Sequence, residues 1–163
     1  MAISSKMSSL EIRSSIVLAS IYALRMLGIF LILPVFAIYA SSLEVTPNAF
    51  QIGLALGIYG LTQAIFQIPF GMTSDRFGRK KLIYFGLFLF IVGSLVAALS
   101  NHIEGIIIGR AIQGSGAISA VLTAFLSDVT RDEHRTKAMA IIGVSIGLTF
   151  ALSLIISPIL SIK

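Results

Sequence analysis

The chain has 163 residues, of which 56% are hydrophobic and only 12% charged, and it contains no cysteine. A mean hydropathy of +0.99 leaves a soluble domain of this size nowhere to hide its apolar surface, so the bilayer is the expected solvent. Disulfides and cysteine metal sites are excluded. The pI near 9.9 would suit nucleic-acid binding only if the cations shared one solvated face; instead they cluster between long apolar runs.

The fold class expected is all-α, a polytopic membrane protein with five transmembrane helices. The first span is read as Ser14 to Ala40. It far exceeds the apolar core of a cleaved secretory signal, about 7 to 15 residues, and it is expected to tilt or bend at Pro34. Arg25 lies inside it. A cation at the centre of an isolated helix costs roughly 2.5 to 3.5 kcal/mol on insertion scales, so Arg25 should face protein or water, either as a structural anchor or as a substrate contact.

The second span is read as Ala49 to Phe70, with no Asp, Glu, Lys or Arg anywhere between Val45 and Ser74. Tyr59, Gln63 and Gln67 recur at i, i+4 and i+8, beside Thr62. This polar ladder either lines a translocation path or joins neighbouring helices. Gly71 to Lys81 then packs four basic residues and one carboxylate into what reads as a tight turn. The third span is Leu82 to Leu99 and the fourth Ile103 to Leu126. In the fourth, Arg110, Gln113, Gly114 and Ala117 fall on one stripe that can line a cavity.

SDVTRDEHRTK separates the fourth span from a fifth at Ala138 to Ile159. The pairs Gly53 and Gly57, Gly105 and Gly109, and Gly143 and Gly147 predict close helix packing. Lys6 and Arg13, the cations from Arg76 to Lys81, and Arg131, Arg135 and Lys137 alternate with loops around Glu44 and Glu104 that have no Lys or Arg. The positive-inside rule therefore places the N-terminus in the cytoplasm. None of the predicted cores contains Asp or Glu, so any intramembrane carboxylate that binds and releases a proton must be elsewhere. His102 and His134 have no metal-ligand spacing and no Ser/His/Asp set converges, so neither a cofactor nor an enzymatic activity is expected.

The spacing Gly71, Asp75-Arg76, Gly78-Arg79-Lys80 resembles the signature loop between the second and third helices of major facilitator superfamily transporters. GRAIQGSGAISA resembles the family's fourth-helix motif, whose arginine is implicated in proton coupling; the resemblance assigns that role to Arg110, against the alternative of an arginine snorkelling to headgroups. The fifth span resembles the antiporter motif of the drug-efflux branch at Gly143, Gly147 and Pro158, with Ser153 and Ser157 where glycines are more typical. In the family the signature loop latches the inward side shut. That implies an Arg79 to Asp128 pair clamping the inner ends of the second and fourth spans, while topology and headgroup binding account for part of the loop charge.

The resemblance implies part of the N-terminal six-helix bundle of a bacterial inner-membrane transporter, drug-efflux-like, exchanging a small molecule against protons by alternating access. Five spans are fewer than that half contains, so a truncated frame is the expectation, with the C-terminal half as structural partner alongside lipid. The alternative is a nontransporting remnant or a membrane-embedded interaction protein.

Overall fold

The computed structural model describes residues 6–32, 34, 36, 43 and 47–161, and every regular element among them is helical. In chain order these are α1 (Ser9–Phe30), α2 (Ala49–Phe77), α3 (Arg79–Ala98), α4 (Ile103–Ser115), α5 (Ser119–Asp128), a 3-10 turn (Asp132–His134) and α6 (Arg135–Ser161). Five segments, with α4 and α5 counted as one, are long and apolar enough to cross a membrane. The chain divides into two compact units, residues 1–34 with 122–163 and residues 35–121.

Several expected boundaries move. The first helix starts at Ser9 instead of Ser14 because Ser8 and Glu11 form a reciprocal capping box. It ends at Phe30, four residues before Pro34, because proline has no N–H to donate to the Phe30 carbonyl. Residues 33, 35 and 37–40 of the expected first span, and Glu44, lie outside the described residues. The second helix runs on through Pro69 to Phe77, about 43 Å in all and roughly a dozen Å longer than a hydrocarbon core. The fourth span is interrupted at residues 116–118, between α4 and α5. There Gly116 abuts the Gly86 carbonyl so closely that a side chain would overlap it, and Ala117 and Ile118 are fully buried.

In the first unit α1 packs along α6. Phe30 and Phe150 meet edge to face at 5.0 Å. Ser145, Thr149, Ser153 and Ser157 form a hydroxyl stripe on α6, one residue per turn. Thr149 and Ser153 donate back to carbonyls of the preceding turn at 2.7 Å, whereas Ser157 donates across to the Leu31 carbonyl at 2.6 Å. That carbonyl belongs to the cap of α1, where intrahelical donors run out, so Ser157 satisfies an end that glycine could not.

A clasp holds the other end of α1. Glu11 Oε1 accepts from the Arg131 backbone N–H and Nε at 3.0 and 3.1 Å, and Oε2 accepts from Arg131 Nη2 at 3.0 Å. Arg131 Nη2 also donates to the Lys6 carbonyl at 3.2 Å. Donating to the Glu11 carboxylate holds the Arg131 guanidinium even more firmly in its charged form. Glu11→Gln keeps the cap acceptor but removes the charge. Hydrogen exchange of the amides from Glu11 to Ser15 is then expected to quicken about two- to fivefold, as for a modest ion pair.

In the second unit α4 packs against both α2 and α3. Asn48 and Gln51 cap α2 with a second reciprocal box, and Phe70 stacks on Phe85 at 6.1 Å. The glycine pairs divide. Gly109 packs tightly on Ala97 and Gly93, but an added Cβ at Gly53, Gly57, Gly143 or Gly147 would meet no described atom within 4 Å. Within their own units those four glycines are exposed and meet no described neighbour, so the expected close packing is seen at Gly105 and Gly109.

Candidate functional site

The charged turn expected from Gly71 to Lys81 contracts to one residue. Gly71, Asp75 and Arg76 are in the last turns of α2, Arg79 and Lys80 open α3, and Gly78 alone joins the helices at φ +96°. The continuation of α2 has a physical basis: polar residues need not end a helix once it has left the apolar slab, and Gly78, unlike the residues from Met72 to Phe77, is free to take this backbone conformation. Arg79 Nη1 reaches back across the junction to Asp75 at 2.5 Å and to the Ser74 hydroxyl at 2.6 Å. The buried Ser74 donates in turn to the Gly71 carbonyl at 2.6 Å. Gly78→Ala forces a side chain into a backbone region that is nearly glycine-only and is expected to cost about 1 to 3 kcal/mol, read as a lowered midpoint in thermal unfolding of the micelle-bound chain.

Asp128 ends α5 in the other unit. Arg135, which opens α6, pairs with Asp132 at 2.8 Å and donates to the Ser127 carbonyl at 3.3 and 3.4 Å, satisfying a carbonyl near the end of α5.

Arg110 and Gln113 are the buried polar centre of the second unit, 2% and 3% exposed. One helical turn separates them, so Arg110 Nη1 donates to Gln113 Oε1 at 3.2 Å. Gln113 Nε2 donates across to Ser94 Oγ on α3 at 2.7 Å. Glycines allow this approach: a Cβ on Gly93 would lie 2.5 Å from the Gln113 nitrogen and 2.8 Å from its Cγ. On the opposite side Gly114 abuts the Tyr59 carbonyl and the Thr62 hydroxyl of α2. The arrangement holds a permanent cation inside an apolar bundle, with its amide neighbour fixed from another helix.

The remaining candidates distribute unevenly. Tyr59 is buried, Gln63 half-buried and Gln67 exposed, so the polar ladder on α2 passes from interior to surface and is no continuous buried lining. Arg25 is 2% exposed, on the same stripe of α1 as Ser15, Leu18 and Ile29. Gly143 and Gly147 are exposed on α6, and Pro158 falls within that helix. Two contributors escape a reading of the sequence. Ser94 lies in an apolar helix with no motif around it, and Glu11 sits ahead of the expected first span; its spacing from Ser8 was the available signal.

A family model described as Major Facilitator Superfamily matches residues 18–163. The chain belongs to the major facilitator superfamily. Among its relatives, the inner membrane transport protein YajR of Escherichia coli K12 is 56% identical over 158 residues, 97% of this chain and 35% of YajR. An uncharacterized transporter of Buchnera aphidicola subsp. Schizaphis graminum is 53% identical, over 96% of this chain and 40% of its own length. The class H tetracycline resistance protein of Pasteurella multocida is 35% identical, over 91% of this chain and 36% of its length. This superfamily chain thus spans little more than a third of the relatives it matches.

Proposed function

We propose that these residues serve in a bacterial inner-membrane secondary transporter that exports a small molecule in exchange for protons by alternating access. The observation that carries the reading is Arg110, a cation 2% exposed inside a segment, α4 continued by α5, that is long enough to cross a membrane; such residues are expensive and mark ion or substrate pathways. Names among the relatives, inner membrane transport and tetracycline resistance, support the direction and substrate class.

Arginine stays charged at any physiological pH, so it does not itself carry the proton. Its part in this reading is electrostatic: it lowers the proton affinity of a carboxyl brought near it in one state and not in the other. Among the described residues, Glu11, Asp75, Glu104 and Asp128 lie in terminal turns of their helices and Asp132 and Glu133 in the 3-10 turn, so in this reading none of these six is the carrier carboxyl. The Arg79 to Asp128 latch is part of the same reading.

In this orientation the N-terminus, the Gly78 junction and residues 131–137 face the cytoplasm. Single cysteines at Ser42 and Lys80 should then react with an impermeant thiol reagent from opposite faces. Transport is tested in a chimera in which this chain replaces the matching part of YajR. Cells expressing it should accumulate less tetracycline than cells with empty vector, and a protonophore should abolish the difference. Equal accumulation with and without the chimera would sink tetracycline efflux, and a difference indifferent to the protonophore would sink proton coupling.

A further inference from the structure

We propose that Ser94 is a positioning residue which sets the polarity of the Gln113 carboxamide and thereby holds the Arg110 guanidinium. The inference deepens the reading of Arg110 given above and rests on it for its functional meaning.

A buried carboxamide has two ends of nearly equal size and opposite chemistry. With its oxygen toward Arg110 it accepts from Nη1 at 3.2 Å; rotated by half a turn it would set an N–H against an N–H, and the guanidinium would lose that acceptor. Within the Arg110–Gln113 pair the charged guanidinium already favours the oxygen, but both residues sit on α4 and nothing there holds the far end of the amide. That hold comes from α3. Ser94 Oγ lies 2.7 Å from Gln113 Nε2 and donates its own proton to the Phe90 carbonyl one turn back, also at 2.7 Å. With that proton committed, Ser94 offers Gln113 lone pairs only. It therefore accepts the N–H end and turns the oxygen to Arg110. The chain of donors runs in one direction, from the Arg110 guanidinium through the Gln113 amide and the Ser94 hydroxyl to a backbone carbonyl that helix geometry fixes. Gly93, the neighbour of Ser94, provides the space in which Gln113 approaches α3.

A space-filling Ser94 and a polarity-setting Ser94 make different predictions. If Ser94 merely fills space, its hydroxyl is dispensable and its volume is not. If it sets polarity, it becomes dispensable once the amide is replaced by a group without a donor end. A carboxylate at position 113 is such a group, since both of its oxygens accept.

The test uses the 163-residue chain in lipid nanodiscs and reads hydrogen exchange of the Arg110 side-chain Nε–H by NMR, assigned by its loss in Arg110→Lys. Ser94→Ala is expected to accelerate exchange about two- to tenfold, the range for losing the support of one hydrogen bond, and Ser94→Thr, which keeps the hydroxyl, should restore the parent rate. In the Gln113→Glu background, Ser94→Ala should leave the rate unchanged. Ser94→Cys, close to serine in size and a poor acceptor, should behave as the alanine variant does and serves in its place should Ser94→Ala not fold. Parent-like exchange in Ser94→Ala or Ser94→Cys overturns the proposal, as does equal acceleration in the Gln113→Glu background. Because the readout needs no flux, it stands apart from the transport reading, which fails separately if Arg110→Lys and Arg110→Ala leave the chimera's efflux intact.

Discussion

Gly114→Ala is expected to destabilise the protein, whereas the same change at Gly53 should leave it neutral or slightly more stable. Both residues lie in helices, where alanine in place of glycine gains up to about 1 kcal/mol from backbone entropy. The surroundings decide the sign. At Gly53 an added methyl meets no described atom within 4 Å, so only the propensity gain remains. At Gly114 the methyl would overlap the Tyr59 carbonyl and the Thr62 hydroxyl. The carbonyl belongs to a helix backbone and cannot swing aside as a side-chain tip can. Forcing α2 from α4 by the required margin should cost about 1 to 3 kcal/mol, the usual range for overpacking. Thermal unfolding of the two variants side by side in one detergent checks this. Equal midpoints would mean that Gly114 does not set the separation of α2 and α4.

The second large effect is expected at Arg110. In the chimera with YajR, Arg110→Ala should reduce protonophore-sensitive efflux about ten- to a hundredfold, the kinetic equivalent of losing a hydrogen bond to a charged group at ~1.5–3 kcal/mol. Arg110→Lys should fall between, because it retains the charge but loses the planar fork that reaches Gln113. Membrane abundance should stay near that of the parent, since insertion depends on hydropathy and flanking charge, neither of which suffers from removing a buried cation. An alanine variant that is abundant and fully active would reduce Arg110 to a structural residue.

Much of this was legible because hydropathy is a local property. Five apolar segments, the cation clusters between them, and the stripe carrying Arg110, Gln113 and Gly114 can all be counted along the chain. The family motifs added the weight of spacing. What the sequence concealed depends on contacts between segments. The signature stretch reads as a loop because it is polar, yet its polarity reflects only where α2 leaves the apolar slab, and one glycine at φ +96° makes the turn. The fourth span reads as one helix because hydropathy runs through GSGAI unbroken; the interruption follows from the close approach of Gly116 to Gly86. Glycine spacing alone could not separate Gly109, packed on α3, from Gly53, where an added Cβ meets no described atom within 4 Å. Ser157 looked like a departure from a glycine-rich motif, but its hydroxyl ties the end of α1 to α6. Ser94 carried no sequence signal, since a lone serine in an apolar helix acquires a role only from the residue opposite it.

The most direct measurement of the transport reading places the chimera in proteoliposomes with a pH-sensitive dye inside and an imposed proton gradient, and records proton movement when tetracycline is added. The reading predicts tetracycline-dependent proton flux down the gradient with the parent chimera, and flux reduced at least about tenfold with Arg110→Ala. Tetracycline movement without proton movement, or equal proton flux in the parent and Arg110→Ala, would contradict it.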